Sequence, residues 1–438
     1  MFKNFLKKIF SPTILTISFL LLIYTFYKSE IIWNGNSRNY YKTYYLISSI
    51  LICFSIITFF LNEKIKEYLI ISVISLIASL YLFEGYLIFS DPSKDQILKE
   101  QLYENQTGNQ WDRRSKLEIY KDLKNKNDNI TIIYNPSNLL YKKYVLSGMS
   151  NQKTIHCNEN GYYSIYQSDR YGFNNPDDEW DKKQIEYLLV GDSFTHGYCV
   201  NRPNDISSVL RNLSNKSILN LGIGGNGPLK QYATLREYLD KNVKKVLWIY
   251  YEGNDLLNLK NELRDNILIN YLKYLNFTQN LKLKQNDIDS LILILLKKEE
   301  ERERERQTFK FKLIKFIKIY STRFLFLSAT EPTPTPTPTL EFKQILQLSK
   351  ELVNKNNSKM YFVYLPEYHR YTTTYDNKNY NLVKNTVKEL KIPFIDINKE
   401  VFEKEQNPLK LFPFEIFGHY TVDGYKKVAE TIYKFTKD

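Results

Sequence analysis

Three long apolar stretches near the amino terminus constrain this chain more than any other feature. They are "SPTILTISFLLLIYTFY" (11–27), "YYLISSILICFSIITFFL" (44–61) and "YLIISVISLIASLYLFEGYLIFS" (68–90). Each is close to the ~20 residues that a helix needs to cross a bilayer. None has the amphipathic spacing of a core helix, and a cleaved signal peptide would leave the second and third stretches unexplained. The sequence therefore predicts three transmembrane helices within residues 1–90.

The charges beside these stretches predict their orientation. The basic residues that flank the first stretch and separate the second from the third are Lys3, Lys7, Lys8, Lys64 and Lys66. Because basic residues accumulate on the cytoplasmic side, we expect a cytoplasmic amino terminus. Three crossings then place residues 91–438 outside, as an extracytoplasmic domain held to the lipid bilayer. Glu84 is near the outer end of the third stretch, where we expect it at the interface rather than buried.

The composition supplies a large core and a basic chain. There are 36 Tyr and 26 Phe residues, and the formal net charge is +13. A positive charge alone would suit nucleic acid or anionic lipid. The lysines are scattered among Asn, Ile and Tyr, and the sequence contains no recognised nucleic-acid module, so nucleic acid is not expected as a partner.

Beyond a polar connector, the chain alternates β-rich runs with helical patterns. The expected strands are 186–191, 217–223, 244–253, 359–366 and 392–397, and the clearest helices are 227–241 and 339–355. Continuous apolar runs separated by helices are typical of a parallel sheet covered on both faces. The expected fold class is therefore α/β, a flavodoxin-like three-layer α/β/α sandwich with a mostly parallel sheet of about five strands.

An insertion at about 257–340 separates the third and fourth expected strands. It contains a charged run (297–307), a basic apolar stretch (310–327) and the Pro-Thr repeat "EPTPTPTPT" (331–339), which is typical of an extended spacer. The stretch 310–327 has two interpretations. Either it lies on the bilayer surface with its lysines toward headgroups, or it packs as a helix on the domain.

The cysteines suggest one cross-link. Cys157 and Cys199 lie in the outer portion, whereas Cys53 lies inside the second apolar stretch. An even number of cysteines in an oxidising compartment favours pairing. A Cys157–Cys199 disulfide is therefore a hypothesis, and it would tie the segment before the sheet to the loop after Ser193.

Polar and glycine-rich motifs follow the expected strands where the strands end. They are "GDSF" with Ser193, "NLGIGGNGP" with Gly225, "EGNDL" with Asn254 and, before the last helix, "GHYTVDG" with His419. Open α/β sheets keep their ligand sites at this edge, outside the carboxyl ends of the strands. We therefore expect the four motifs to meet around Ser193.

The four motifs together resemble those of the SGNH, or GDSL-type, hydrolase superfamily, over roughly residues 165–435. The resemblance implies that Ser193 is the nucleophile and that His419 is its base. It also implies an oxyanion hole made by the backbone N–H groups of Ser193 and Gly225 and by the side-chain amide of Asn254. Gly222 and Gly224 are alternative positions for the family's glycine if the alignment shifts from Gly225. Asp192 and Asp255 are expected to brace their loops.

One position departs from the family pattern. The family normally carries an aspartate three residues before the histidine, and here that residue is Ile416. Glu415 is one residue further away, and a backbone carbonyl is the alternative, which would leave a Ser–His dyad. Among the other histidines, His369 is the competitor to His419, but local context and family order favour His419.

These residues predict a membrane-anchored serine ester hydrolase, an esterase or deacylase that acts outside the membrane through an acyl-serine. The substrate expected is an acylated carbohydrate or lipid, and no cofactor is expected. Metal is not expected either, because the sequence has no H-E-x-x-H motif and no paired cysteine motif. Two alternatives stay open: an O-acyltransferase that modifies an envelope polysaccharide, and an inactive SGNH-like binding module, which Ile416 favours.

Overall fold

The structure is a computed structural model that describes residues 2–35, 38–89, 94–126, 129–133, 138–139, 143–327 and 337–437. It contains two compact units. The first, which we call the apolar-helix unit, comprises Met1–Asp91 and Arg302–Pro336; the second, the sheet unit, comprises Pro92–Glu301 and Thr337–Asp438. Most of the Pro-Thr repeat lies outside the described residues.

The helices and strands are numbered in chain order through both units. The α-helices are α1 (Phe2–Phe26), α2 (Arg38–Phe59), α3 (Glu63–Phe89), α4 (Lys94–Thr107), α5 (Lys116–Lys124), α6 (Ser193–His196), α7 (Ile206–Ser214), α8 (Pro228–Tyr238), α9 (Asp255–Glu262), α10 (Asn266–Lys273), α11 (Gln285–Gln307), α12 (Phe309–Ile317), α13 (Tyr320–Leu327), α14 (Thr339–Lys355), α15 (Lys378–Glu389), α16 (Ile397–Glu400) and α17 (Val422–Thr436). The strands are β1 (Ile130–Ile132), β2 (Asn138–Leu139), β3 (Lys143–Tyr144), β4 (Lys153–Ile155), β5 (Ile165–Gln167), β6 (Ile185–Val190), β7 (Ile218–Asn220), β8 (Val243–Tyr251), β9 (Lys359–Leu365) and β10 (Phe394–Asp396). A π-helix (Tyr27–Ile32) follows α1, and short 3-10 helices occur at Asp177–Asp181, Leu281–Leu283, Tyr368–Tyr371, Phe402–Lys404, Pro408–Leu411 and Pro413–Glu415.

The main sheet of the sheet unit has five strands in the order β10-β9-β8-β6-β7, and every neighbouring pair is parallel. Successive residues of a strand point to opposite faces, so Val246 and Trp248 of β8 enter one apolar core and Leu247 and Ile249 enter the other. Helices α8, α14 and α15 cover the first core, and α7 and α17 cover the second. This arrangement confirms the predicted three-layer α/β/α fold.

A small sheet that the sequence did not predict precedes the main sheet. Its order is β1-β4-β5, with β1 parallel and β5 antiparallel to β4. The loop between β4 and β5 is closed by backbone hydrogen bonds from His156 N to Ser164 O and from Ser164 N to Cys157 O, each 2.9 Å long. This closed loop contributes to the candidate site described below.

The apolar-helix unit contains three helices that are long and apolar enough to cross a membrane: Phe5–Ile32, Arg38–Phe59 and Glu63–Ile88. Large apolar side chains such as Leu82 and Tyr86 are exposed along them. Exposed apolar surface on helices of this length suits a lipid environment. The three apolar helices predicted from the sequence are therefore present.

Glu84 of α3 differs from its expected interfacial exposure, because its side chain is fully buried within the apolar-helix unit. The carboxylate accepts hydrogen bonds from the backbone N–H groups of Ser321 (2.9 Å) and Thr322 (2.7 Å) and from Thr322 Oγ1 (2.8 Å). A buried carboxylate is tolerated when its oxygens are bonded in this way.

Candidate active site

Ser193 stands at a sharp turn from β6 into α6. Gly191 makes the turn possible, because a Cβ atom there would lie 1.9 Å from Thr195 Oγ1 and 2.8 Å from Ile249 O. The Asp192 side chain caps α6 by accepting a hydrogen bond of 2.9 Å from Phe194 N. The turn therefore places the Ser193 hydroxyl at the carboxyl end of the sheet, as the sequence predicts.

His419 lies against this serine. Its Nε2 atom is 2.9 Å from Ser193 Oγ. The residue precedes α17, whose first turn is capped by Thr421. The imidazole packs between the rings of Phe194 and Tyr198, with centroid distances of 4.7 and 4.9 Å. These contacts fix the orientation of the ring.

The partner on the other side of His419 is Glu159. Its Oε1 atom is 2.9 Å from His419 Nδ1, and its Oε2 atom accepts a hydrogen bond of 2.7 Å from the His419 backbone N–H. Because a carboxylate only accepts hydrogen bonds, Nδ1 carries the proton of the neutral ring. Nε2 is then free to accept a proton from the Ser193 hydroxyl.

Glu159 takes the role for which the sequence, with Ile416 in the family's aspartate position, offered only Glu415 or a backbone carbonyl. The Glu415 side chain instead accepts a hydrogen bond of 3.1 Å from Asn407 Nδ2, away from the imidazole. Sequence reasoning missed Glu159 because it precedes the main sheet and lies 260 positions from His419.

A disulfide holds the Glu159 loop beside the serine turn. Cys157 and Cys199 are bonded, as hypothesised from the cysteine count, with an S–S distance of 2.17 Å. Asn160 Nδ2 donates a hydrogen bond of 2.9 Å to Cys199 O, which adds a second link between the same two segments. Glu159 lies between these two attachment points, so its position relative to His419 is restrained from both sides.

Three carboxyl groups near the serine have shifted pKa values. Burial opposes ionisation of Glu159, but the charge of His419 and the hydrogen bonds from His419 outweigh it and lower the pKa to about 2. Burial raises the pKa of Asp192 to about 6, and burial together with the charge of Asp192 raises the pKa of Asp255 well above its ordinary value. Glu159 is therefore the carboxyl group best suited to remain ionised beside an imidazole.

The glycine-rich turn after β7 presents Gly225 most openly. Gly225 has a left-handed φ of 78°, and an added Cβ atom there would meet nothing within 4 Å. By contrast, the Gly222 N–H donates to Asn220 Oδ1 (2.8 Å), and a Cβ atom at Gly224 would collide with the Tyr198 hydroxyl. This geometry favours Gly225 over the two alternative alignments.

Two charged side chains hydrogen-bond to the backbone of the same turn. Lys230 Nζ donates a hydrogen bond of 2.9 Å to Gly225 O. The buried Glu262 carboxylate accepts from the backbone N–H groups of Gly227 (2.6 Å) and Leu229 (3.0 Å) at the start of α8. These hydrogen bonds restrain the loop that contains Gly225 and so fix the position of its N–H group.

Asn254 follows β8, on the opposite side of β6 from Gly225. Its side-chain oxygen is buried without a hydrogen-bond partner among the described residues. The next residue, Asp255, accepts hydrogen bonds from Gln231 Nε2 (3.1 Å) and Tyr251 N (3.2 Å) and so braces this loop. Because β7 and β8 flank β6, the predicted oxyanion groups lie on either side of the Ser193 turn.

A family model for GDSL-like lipases and acylhydrolases matches residues 187–432, more than half of the chain. This chain belongs to the GDSL-like lipase/acylhydrolase family. Two similar solved structures are a G-D-S-L-family protein from Desulfitobacterium hafniense DCB-2 and the acetyl xylan esterase AlAXEase. Each is 14% identical, covers 57% of this chain and 99% of its own, and has a TM-score of 0.33 or 0.34, respectively. No curated protein matches the chain.

The remaining histidines of this GDSL-like chain lie outside the contact between Ser193 and His419. His369 stacks on Phe417 with a centroid distance of 5.3 Å. His156 and His196 are buried together, with ring centroids 4.5 Å apart. Burial lowers the pKa of His196 to about 3 and the pKa of His156 well below its ordinary value, so neither ring is suited to act as a base at neutral pH.

Glu159, Cys199 and His419 also form a group of possible metal ligands, with ligand atoms within 4.8 Å of one another. In the part of the chain that the structure describes, these donors are already used. The Cys199 sulfur is bonded to Cys157, and Glu159 Oε1 is bonded to His419 Nδ1. The chemistry of this group is therefore that of a carboxylate–imidazole pair.

Proposed function

We propose that this family member is a membrane-anchored serine ester hydrolase that acts outside the membrane through an acyl-serine intermediate. The observation that carries the proposal is the unbroken series of contacts from Glu159 through His419 to Ser193 Oγ. A serine hydroxyl is a weak nucleophile, and an oriented imidazole within hydrogen-bond reach is what activates it.

The reaction follows from these contacts. As Ser193 Oγ bonds to the ester carbonyl carbon, its proton passes to His419 Nε2 and the carbonyl electrons move onto oxygen. The N–H groups of Ser193 and Gly225 and the Asn254 amide receive this oxyanion, and one such donor is worth about 3 kcal/mol. Collapse expels the alcohol, which takes the proton from His419, and water then releases the acid by the same steps. Glu159 stabilises the imidazolium in both halves of the cycle.

The substrate class that we propose is an acylated carbohydrate or lipid, and the reaction needs no cofactor. The Cys157–Cys199 bridge supports an extracytoplasmic sheet unit, because disulfides persist in oxidising compartments. The alternative of an inactive binding module rested on Ile416, which leaves the family's aspartate position without a carboxylate. Glu159 supplies a carboxylate to His419 instead, so Ile416 no longer favours that alternative.

The test is hydrolysis of 4-nitrophenyl acetate by the full-length chain in detergent. We expect the rate to fall to the background level in Ser193→Ala and in His419→Ala, and to persist in His369→Ala, a matched control outside the contact. Equal rates in the wild type and Ser193→Ala would overturn the proposal. A glycan acceptor added to the assay separates hydrolysis from acyl transfer, because a transferase forms an acylated glycan in place of free acid.

A further inference from the structure

Two helices of the insertion carry an apolar surface that nothing in the described structure covers. These helices, α12 and α13, form what we call the insertion hairpin (309–327) and belong to the apolar-helix unit. No residue of α12 is buried in the described structure. Phe309, Ile317, Phe324 and Phe326 are each more than half exposed, from 56% to 79%. An apolar surface of this kind marks an interaction site.

Glu84 ties the hairpin to α3. A carboxylate on a membrane helix is costly unless it is paired, and Ser321 and Thr322 supply the three hydrogen bonds that satisfy it. A second attachment lies nearby, where Tyr81 Oη donates a hydrogen bond of 2.9 Å to Ile317 O. The insertion therefore returns to the third apolar helix and satisfies a group that lipid alone could not.

The hairpin contacts α3 at a level where other side chains of α3 are exposed. Leu82 and Tyr86, on either side of Glu84, are 76% and 66% exposed. With 27 residues, α3 is about 40 Å long and exceeds a hydrocarbon core of about 30 Å. Glu84 lies five residues before the end of α3 at Phe89. The hairpin therefore meets α3 close to the boundary between hydrocarbon and headgroups.

The charge of the hairpin selects the kind of headgroup. Its basic residues are Lys310, Lys312, Lys315, Lys318 and Arg323, and the stretch 309–327 contains no Asp or Glu. A basic helix with a large apolar surface is typical of elements that lie in the interface and attract anionic lipid. Long lysine side chains can keep their stems in apolar surroundings and extend the charge to the headgroups.

We propose that the insertion hairpin is an interfacial lipid-binding element, anchored to α3 by Glu84, that binds anionic phospholipid headgroups through its lysines. Each basic side chain near an anionic surface strengthens such binding roughly fivefold. The partner is the bilayer itself, and the inference does not depend on the proposed reaction.

The position of the hairpin can be measured in the full-length chain. In a Cys53→Ser background, nitroxide labels are placed at Ile317→Cys, Phe324→Cys and the control Leu275→Cys, which is exposed in the sheet unit. The protein is reconstituted in phosphatidylcholine vesicles with phosphatidylglycerol. We expect labels at 317 and 324 to be more accessible to oxygen than to a water-soluble nickel chelate, and the label at 275 to show the reverse. Labels at 317 and 324 that behave like the control would overturn the proposal.

Two further variants test the tether and the charge. Glu84→Ala is expected to raise nickel accessibility at 324 several-fold, whereas Glu63→Ala, at the other end of α3, leaves it unchanged. Replacement of the four lysines by Glu is expected to raise nickel accessibility at 317 in vesicles that contain phosphatidylglycerol, and much less in pure phosphatidylcholine. An equal response in both lipids would overturn the role of anionic headgroups.

Discussion

Glu159 gives His419 a carboxylate partner, a role that Glu415, the nearby acidic residue in the sequence, does not fill because its side chain bonds to Asn407. Loss of Glu159 leaves the imidazole without support for the tautomer that accepts the serine proton. We expect Glu159→Gln to lower kcat by up to about 10⁴-fold with a smaller change in KM, as for the loss of tautomer support in a catalytic triad. Steady-state hydrolysis of an aryl acetate by the full-length chain measures both constants.

The matched control for this prediction is Glu415→Gln. Glu415 is close to His419 in sequence, but its side chain bonds to Asn407, so we expect this variant to retain wild-type kcat. Glu159→Asp is expected to keep part of the activity because it retains a carboxylate. A Glu159→Gln enzyme as active as the wild type would show that the carboxylate does not assist the reaction.

The same carboxylate predicts how stability depends on pH. Burial opposes its ionisation, but the charge and hydrogen bonds of His419 prevail and lower the pKa from 4.5 to about 2. Between these values the unfolded chain binds a proton that the folded protein does not, so stability is lost as the pH falls. We expect the Tm difference between wild type and Glu159→Gln to be largest above about pH 4.5 and to shrink toward pH 2. Thermal unfolding across this range measures it, and a pH-independent difference would contradict the assignment.

At the scale of elements, the β4–β5 loop places Glu159 beside His419, and the Cys157–Cys199 bridge attaches this loop to the segment after Ser193. We expect a dithiol reductant to lower kcat of the wild type and to have little further effect on Glu159→Gln, because both changes remove the same support. The bridge closes a segment of 42 residues, so reduction should also destabilise both proteins by about 4 kcal/mol. An equal fall in kcat in both backgrounds would assign the bridge to general stability alone.

The elements that could be predicted from the sequence are those with a strong local pattern. Strands β6 to β10 were predicted to within three residues at each end because their apolar runs are continuous. The motifs after β6 and before α17 pointed to Ser193 and His419, whose Oγ and Nε2 atoms lie 2.9 Å apart in the structure. The small sheet has strands of three residues, too short for a recognisable period. One feature of the sequence could have pointed to Glu159. The hypothesised bridge places Cys157 beside the loop after Ser193, and Glu159 is the acidic residue nearest to Cys157 in the sequence.

At the scale of the whole molecule, two independent features agree on orientation. Lys3, Lys7 and Lys8 lie in the first two turns of α1, and Lys64 and Lys66 lie in the first turn of α3, which favours a cytoplasmic position for the starts of both helices. Cys157 and Cys199 are bonded in the sheet unit, which favours an oxidising compartment for that unit. We propose that α3 crosses the bilayer once, between its basic first turn and the sheet unit, and both features then favour the same topology.

This topology predicts opposite labelling of two exposed positions. In the Cys53→Ser background, Asn62→Cys lies in the loop before α3 and Leu275→Cys lies on the surface of the sheet unit. The bonded cysteines do not react with maleimide, so each variant offers one thiol. In sealed right-side-out vesicles we expect a membrane-impermeant maleimide to label position 275 at once and position 62 only after detergent is added. Labelling of both positions before detergent would mean that α3 does not cross the bilayer, and the reverse pattern would place the serine site on the cytoplasmic side.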